Sequence, residues 1–177
     1  VFVTEDPKRE AVLSLAPIVD ANTHTMIFGT APGKESVEQK QYYQRSDNAL
    51  WHMVAELGKG RVKVTEGGFK PNIDRKILDH VQYPDGNELD YNGCVSVLQS
   101  KGYGLWDVNS ECTRVGSTDD TIKDKQPNDI QALVQNNRGV KEFWFNGQPA
   151  ATNFRQAHQA WLNQDGAFMF HDDKATQ

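Results

Sequence analysis

Three short apolar runs in the sequence, each followed by polar, loop-forming residues, have the pattern of buried strands. They lie at 25–28 (TMIF), 103–108 (YGLWDV) and 140–145 (VKEFWF). The first run ends at Gly29. Because this run is short, its flanking residues exclude a helix more firmly than its periodicity does. We therefore predict three strands.

Segments with helical spacing of apolar residues lie before, between and after these strands. The clearest are 127–135 and 149–162, each with a proline at its start; a shorter one spans 6–15, and another begins near Ala49 and ends at Gly58,. Strands separated by helices of this length imply right-handed crossovers and a parallel sheet. The predicted fold class is α/β, with a short central parallel sheet flanked by helices in three layers.

The length of the chain favours one domain, which we expect to span 1–177,. The region 58–93 differs from the rest because it is rich in Gly, Lys, Asp and Asn, with a turn signal at 84–87,. We interpret it as a loop-rich excursion that holds a short helix near 73–81. A last strand is predicted at 168–170.

Composition and charge narrow the class of protein. Hydrophobic residues make up 37% and charged residues 24% of the chain, which is ordinary for a globular protein,. No apolar run is long enough to cross a bilayer, and the two cysteines have neither disulfide nor metal-ligand spacing,. We expect an intracellular monomer, in the cytoplasm or the nucleoid or nucleus, away from membranes. The net charge of −5 argues against strong non-specific binding to a phosphate backbone, but is compatible with a site-directed encounter with nucleic acid,.

The loops that follow the predicted strands carry the residues of chemical interest. In a parallel sheet, ligands bind beyond the carboxyl ends of the strands, which brings 29–34, 107–112 and 146–148 to one crevice. The first of these loops, GTAPGK, has glycines that let the backbone approach a ligand, and its amides can bind an anion or a carbonyl group,. Its spacing is not that of a phosphate-binding Walker A loop.

Three ordered motifs resemble the hypoxanthine-DNA glycosylase family of the uracil-DNA glycosylase superfamily. The first spans 27–51 and combines a G-x-x-P-G loop, two tyrosines, an asparagine and a tryptophan; the second, 104–119, contains GLWDV and CTRVGSTD; the third, 145–150, is FNGQPA. The resemblance implies the uracil-DNA glycosylase-like fold. It also implies a monofunctional DNA glycosylase that removes a deaminated base in base-excision repair, with no cofactor and no metal. The family name indicates hypoxanthine, and uracil and xanthine stay open.

The chain departs from the family pattern at several positions. Ser46 and Asp47 stand where the family has His-Pro, Leu50 replaces an aromatic residue, and the Ser/Pro-rich closing loop is not recognisable. These departures and the net negative charge of the chain support an alternative function. The chain would then be a non-catalytic nucleic-acid-binding or protein-interaction module on the same fold.

The resemblance assigns Asn48 as the catalytic residue, which positions water or reads the base, with helix capping, a common use of asparagine at such a site, as the alternative. Tyr43 is assigned to stack on the flipped base, with an aromatic anchor between helix and sheet as the alternative. Other branches of the superfamily have a carboxylate or an amide where this chain has Thr30, so the first loop lacks an activating carboxylate. The residues expected to bind the base are Gly29, Thr30, Ala31, Tyr43 and Asn146.

Lys34, Arg114 and Ser117 are expected to contact DNA phosphates, with a surface ion pair as the alternative for the arginine. Asp107 ends a predicted strand beside the crevice, where it is either catalytic or caps loop amides. His171 is either a solvated tail residue or a substitute for the missing closing loop.

Overall fold

The computed structural model describes residues 8–44, 50, 51, 54, 91–116 and 118–164. Its six strands are β1 (Glu10–Leu13), β2 (Thr25–Gly29), β3 (Tyr103–Asp107), β4 (Asn109–Arg114), β5 (Lys123–Pro127) and β6 (Glu142–Phe145). The helices with full bounds are α1 (Lys34–Gln39), α2 (Tyr91–Ser100), α3 (Ile130–Asn136), α4 (Gln148–Ala157) and α5 (Gln159–Leu162), with a 3-10 turn at Asp119–Thr121. Leu50, Trp51 and Val54 are also helical. None of the helices in these ranges is long and apolar enough to cross a bilayer.

The central sheet is the predicted parallel sheet, with the strand order β3-β2-β6. Ile27 of β2 is in register with Leu105 of β3 and with Trp144 of β6. Every residue of β2 is buried, as expected for a strand covered on both faces,. The sheet therefore brings the ends of three chain segments to one edge.

Two separate hydrophobic cores cover the two faces of this sheet. Side chains alternate along β2, so Ile27 faces one core, and Met26 and Phe28 face the other,. The first core includes Trp51, Cys94 and Leu98; the second includes Ile130, Leu133, Ala150 and Phe154. Helices on both faces confirm the predicted three-layer α/β arrangement.

The segment 6–15, predicted as a helix, is a strand over its described part. Glu10 to Leu13 pair antiparallel with β4, from Arg114 back to Glu111. Val12 is 8% exposed whereas Leu13 is 62% exposed, so neighbouring side chains point to opposite faces,. Of the apolar residues of this strand, only Val12 is buried, whereas Ala11 and Leu13 are exposed. The prediction of a helix gave too much weight to Pro7.

A second sheet, with the order β1-β4-β5, was not predicted. The stretch after Val108, expected to be a polar loop, turns back at once to form β4, and β5 has five exposed residues. Such strands carry little hydrophobic signal because backbone pairing, rather than burial, holds them in place. This sheet matters for function because β4 returns the chain to the edge of the central sheet.

The helices differ from prediction mainly at their ends. The helix expected at 127–135 begins at Ile130, because Pro127 belongs to β5 and the side chain of Asp129 accepts a hydrogen bond from the amide of Ala132 at 2.9 Å. The helix expected at 149–162 is interrupted at His158. Helix α2 was not predicted. The expected helix at 73–81 and strand at 168–170 lie outside the described residues.

The pairing of β1 with β4 predicts that substitutions at two neighbouring residues differ in their effect on stability. Val12→Ala removes a buried side chain and should lower the free energy of unfolding by about 1–2 kcal/mol. Leu13→Ala, at an exposed position, should change it by less than about 0.5 kcal/mol. Urea unfolding measures both variants. Equal losses at the two positions would contradict the strand and favour a helix.

Candidate active site

A concave pocket of about 170 Å³ lies at the carboxyl ends of the parallel strands. Gly29 ends β2, Asp107 ends β3 and Asn146 follows β6, so each strand contributes one residue to its wall. The pocket is lined by Gly29, Thr30, Ala31, Pro32, Gly33, Ser36, Tyr42, Tyr43, Asp107, Arg114, Asp119 and Asn146. The crevice thus forms where the sheet topology predicts it.

The first loop, residues 29–33, is fixed by the chain that follows β3. The amide of Val108 donates to the carbonyl of Gly29 at 2.8 Å, and Asn109 donates to the carbonyl of Thr30 through both its amide and its side chain, at 3.2 and 2.9 Å. Arg114 donates to the carbonyl of Pro32. With these carbonyls occupied, the amides of Thr30 and Ala31 find no acceptor among the described residues and remain available for a ligand.

Gly29 is required because two side chains lie against its α-carbon. A β-carbon at this position would lie 2.6 Å from Oδ1 of Asp107 and 2.9 Å from the hydroxyl of Tyr43. The absence of a side chain therefore lets the carboxyl and the phenol converge at the end of the first strand.

Asp107 is the most perturbed carboxyl group of the pocket. Its side chain is 3% exposed, and no described residue donates a hydrogen bond to its Oδ2. Burial raises its pKa to about 7; the negative charge of Asp119 adds to this rise, and the positive charge of Arg114 opposes it,. The expectation that it caps loop amides has no support among the described residues. A buried carboxyl without a partner is costly, which points to a ligand.

The two adjacent tyrosines have different environments. The hydroxyl of Tyr42 donates to the carbonyls of Leu15 and Ala16, at 3.1 and 2.8 Å, and the indole of Trp51 donates to the Tyr42 carbonyl at 2.9 Å. Tyr42 is therefore the structural anchor of the pair. Its neighbour Tyr43 lines the same pocket but makes no such bonds.

Tyr43 is held in an unusual conformation beside Asp107. Its backbone φ of 55° is uncommon for a bulky residue, and the turn that carries it is fixed by Ser36, whose hydroxyl accepts from the amide of Gln44 at 3.1 Å,. Burial is the main cause of the raised pKa of its phenol, and the charge of Asp107 adds to it. The Asn146 side chain partly offsets the rise, although no described residue offers the hydroxyl a well-aligned hydrogen bond.

Arg114 lies in a different environment from the one predicted. It is 2% exposed, so the surface ion pair is wrong. Its guanidinium donates to Pro32, which indicates that it supports the first loop from within the protein, rather than reaching outward to a phosphate. Lys34 is exposed at the start of α1, outside the pocket wall.

Asp119 is a pocket-lining residue that the sequence did not single out. It stands at the end of the CTRVGSTD motif, which was the available signal, and its Oδ2 accepts a hydrogen bond from the hydroxyl of Thr30 at 2.8 Å. The first loop thus gains a carboxylate from a residue 89 positions away along the chain. The predicted residues Asn48, Ser117 and His171 lie outside the described ranges.

Known proteins were compared with the chain in sequence and in fold. No family model matches. The chain is similar to the hypoxanthine DNA glycosylase of Methanosarcina barkeri, with 26% identity over 132 residues, 75% of this chain and 68% of the relative. It is similar to the hypoxanthine DNA glycosylase of Methanosarcina acetivorans, with 27% identity over 133 residues, 75% of this chain and 69% of the relative. A solution NMR structure of a candidate uracil DNA glycosylase from Methanosarcina acetivorans shares the fold, with a TM-score of 0.60 at 23% identity over 85% of this chain and 78% of that one.

The contacts of Gly29 predict that alanine is far less well tolerated at this position than at Gly33 of the same loop. Gly29→Ala forces a methyl group against Asp107 and Tyr43 and should lower the free energy of unfolding by about 1–3 kcal/mol. Gly33→Ala is the matched control, because its added carbon would lie no closer than 3.7 Å, beside the Glu35 carboxylate, and its φ of −67° suits any residue. Urea unfolding distinguishes them. Equal stability of the two variants would show that the carboxyl and the phenol do not converge on Gly29.

Proposed function

We propose that the chain is a monofunctional DNA glycosylase of the hypoxanthine-DNA glycosylase family, because it is similar to two hypoxanthine DNA glycosylases over 75% of its length and shares its fold with a candidate uracil DNA glycosylase. It hydrolyses the N-glycosidic bond of a deaminated base in base-excision repair. Hypoxanthine is the first substrate to expect, because both relatives carry that name. Uracil shares the chemical feature discussed below, and xanthine stays open as a substrate.

The observation that carries this proposal is the buried carboxyl of Asp107 in the wall of the pocket. A glycosylase turns its target nucleotide out of the helix and holds the base in such a pocket, where fixed groups recognise its Watson–Crick edge. Asp107 has no described partner for Oδ2, and the Tyr43 hydroxyl and the Asn146 side chain lie close by. A flipped base would supply the missing partners.

The chemistry of deamination explains why a carboxylate suits this position. Adenine presents a lone pair at N1, and its deamination to hypoxanthine places a proton there. Cytosine changes in the same way at N3 when it becomes uracil. An ionised Asp107 accepts a hydrogen bond from either new N–H group, whereas the lone pair of the parent base would face the negative charge. Such a mismatch between buried polar groups is what allows large discrimination.

The ionised form of Asp107 is the one that this recognition uses. Because its pKa is raised to about 7, a substantial share of the free protein carries the proton in neutral solution. The excision rate should therefore rise as the pH increases through about 7 and level off above it. The nearby charges that set this midpoint are those of Asp119 and Arg114.

The other pocket residues fit the remaining needs of the reaction. The free amides of Thr30 and Ala31 can stabilise the negative charge that develops on the departing base,. Tyr43 is proposed to stack on the base and Asn146 to bind its carbonyl group, while Asn48 is proposed to position water. No lysine lines the described pocket, which supports hydrolysis without a Schiff-base step.

The test uses oligonucleotides that carry deoxyinosine, deoxyuridine or deoxyxanthosine, single-stranded and duplex, with alkali cleavage to reveal abasic sites. The wild-type chain should cleave at hypoxanthine and leave undamaged DNA intact. Asp107→Asn should slow hypoxanthine excision by roughly 10- to 100-fold, since a charge-assisted hydrogen bond is lost. It should also narrow the preference for hypoxanthine over adenine, because an amide can donate to the N1 of adenine.

Glu111→Gln, at an exposed position on β4, is the control and should behave as wild type. The alternative function, a non-catalytic binding module, predicts that the wild-type chain binds DNA without cleaving at any deaminated base. That result would overturn the proposed function.

A further inference from the structure

Two carboxylates line the pocket, and the mechanism above uses only one of them. Asp119 stands on the 3-10 turn that follows β4, and its Oδ2 accepts a hydrogen bond from the Thr30 hydroxyl at 2.8 Å. No described side chain or amide donates to its second oxygen, Oδ1. Asp119 is close enough to Asp107 for its charge to raise the pKa of that residue. One oxygen of Asp119 is thus fixed by Thr30, and the residue lines the pocket.

The two carboxylates lie at different depths. Asp107 is 3% exposed, whereas Asp119 is only partly buried. A flipped base enters with its Watson–Crick edge foremost and remains attached to a sugar that stays with the DNA. The edge therefore meets the deeper group, and the bond to be broken lies nearer the mouth, on the side of Asp119.

We propose that Asp119 is a catalytic residue that binds the attacking water as its general base, and that Thr30 is a positioning residue that fixes the Asp119 carboxylate. This inference rests on the proposed glycosylase function. It assigns the water-activating carboxylate, absent from the first loop itself, to a residue that the second motif brings to the same loop.

The proposed step is a simple hydrolysis. The bond between the sugar C1′ and the ring nitrogen of the base breaks, and its electron pair leaves with the base. The oxygen of the water forms a new bond to C1′, and one proton of the water passes to the free oxygen of Asp119. That proton then passes, directly or through solvent, to the base anion, so the products are a neutral base and an abasic sugar, with no change in oxidation state.

Arg114 makes this arrangement possible by holding the loop that carries Thr30. Its guanidinium donates to the carbonyl of Pro32, and its positive charge also lies near Asp107. Thr121 closes the other end of the 3-10 turn, since its hydroxyl donates to the carbonyls of Val115 and Thr118 at 2.8 and 3.0 Å. The position of Asp119 is therefore defined from both sides.

The experiment compares Asp119→Asn with Asp120→Asn in single-turnover excision from a deoxyinosine duplex. Asp120 is the matched control, because it belongs to the same turn but is exposed and does not line the pocket. General-base catalysis is worth about 10²- to 10⁴-fold. Asp119→Asn should lower the excision rate by at least about 100-fold, and it should bind DNA as tightly as wild type or more tightly. The excision rate of Asp120→Asn should stay within about twofold of wild type.

A second readout separates catalysis from a structural role. The charged groups that face Asp107 are Asp119 and Arg114, and the Tyr43 phenol lies beside them. Removing the Asp119 charge should lower the pKa of Asp107, so the residual activity of Asp119→Asn should reach its plateau at a lower pH. Thr30→Val, which removes the positioning hydroxyl at nearly constant volume, should give an intermediate loss of rate with thermal unfolding close to wild type.

The outcomes are distinguishable. If wild type excises hypoxanthine and Asp119→Asn does so at the same rate with an unchanged pH profile, the role of Asp119 is wrong and the glycosylase function stands. If wild type excises no deaminated base, both proposals fall. If Asp119→Asn is inactive only because it is unfolded, a wild-type rate in folded Thr30→Val would still overturn the inference.

Discussion

The structure depends on a set of hydrogen bonds between the loop after β2 and the chain after β3. Val108, Asn109 and Arg114 hold the carbonyls of Gly29, Thr30 and Pro32 in turn. Because β4 turns back directly after β3, one continuous segment can hold the whole loop. Thr30 is thereby placed within hydrogen-bond distance of Asp119. The second sheet is thus part of the site, since it returns β4 to the loop.

The pocket has the features of a site that sacrifices stability for function. Burying a carboxyl without a partner costs free energy, and a tyrosine with positive φ adds strain. Both features occur at Gly29, where Asp107 and Tyr43 converge. A packing role would be better served by an apolar side chain at position 107. The arrangement is understandable if a base completes the hydrogen bonds that no described residue supplies,.

The sequence predicted the central sheet and its ligand-binding edge, because the runs at 25–28 and 103–108 are apolar and end in loop residues. It could not predict the second sheet, since β5 is exposed along its whole length and its pairing is held by the backbone. Most of the pocket followed from the three motifs. Asp119 did not, because its approach to Thr30 depends on the return of β4, a long-range contact with no local pattern.

In the proposed complex, the Asp107 carboxylate accepts a hydrogen bond from the N–H group of a deaminated base. The most direct test is a ¹³C NMR titration of the Asp107 side chain, first in the free protein and then with a deoxyinosine oligonucleotide bound. The free carboxyl should titrate near pH 7, where burial raises its pKa to about 7. Binding should lower that pKa clearly, since a donated hydrogen bond stabilises the charged form. A pKa in the ordinary range of an exposed aspartate, or one that hypoxanthine leaves unchanged, would contradict the account.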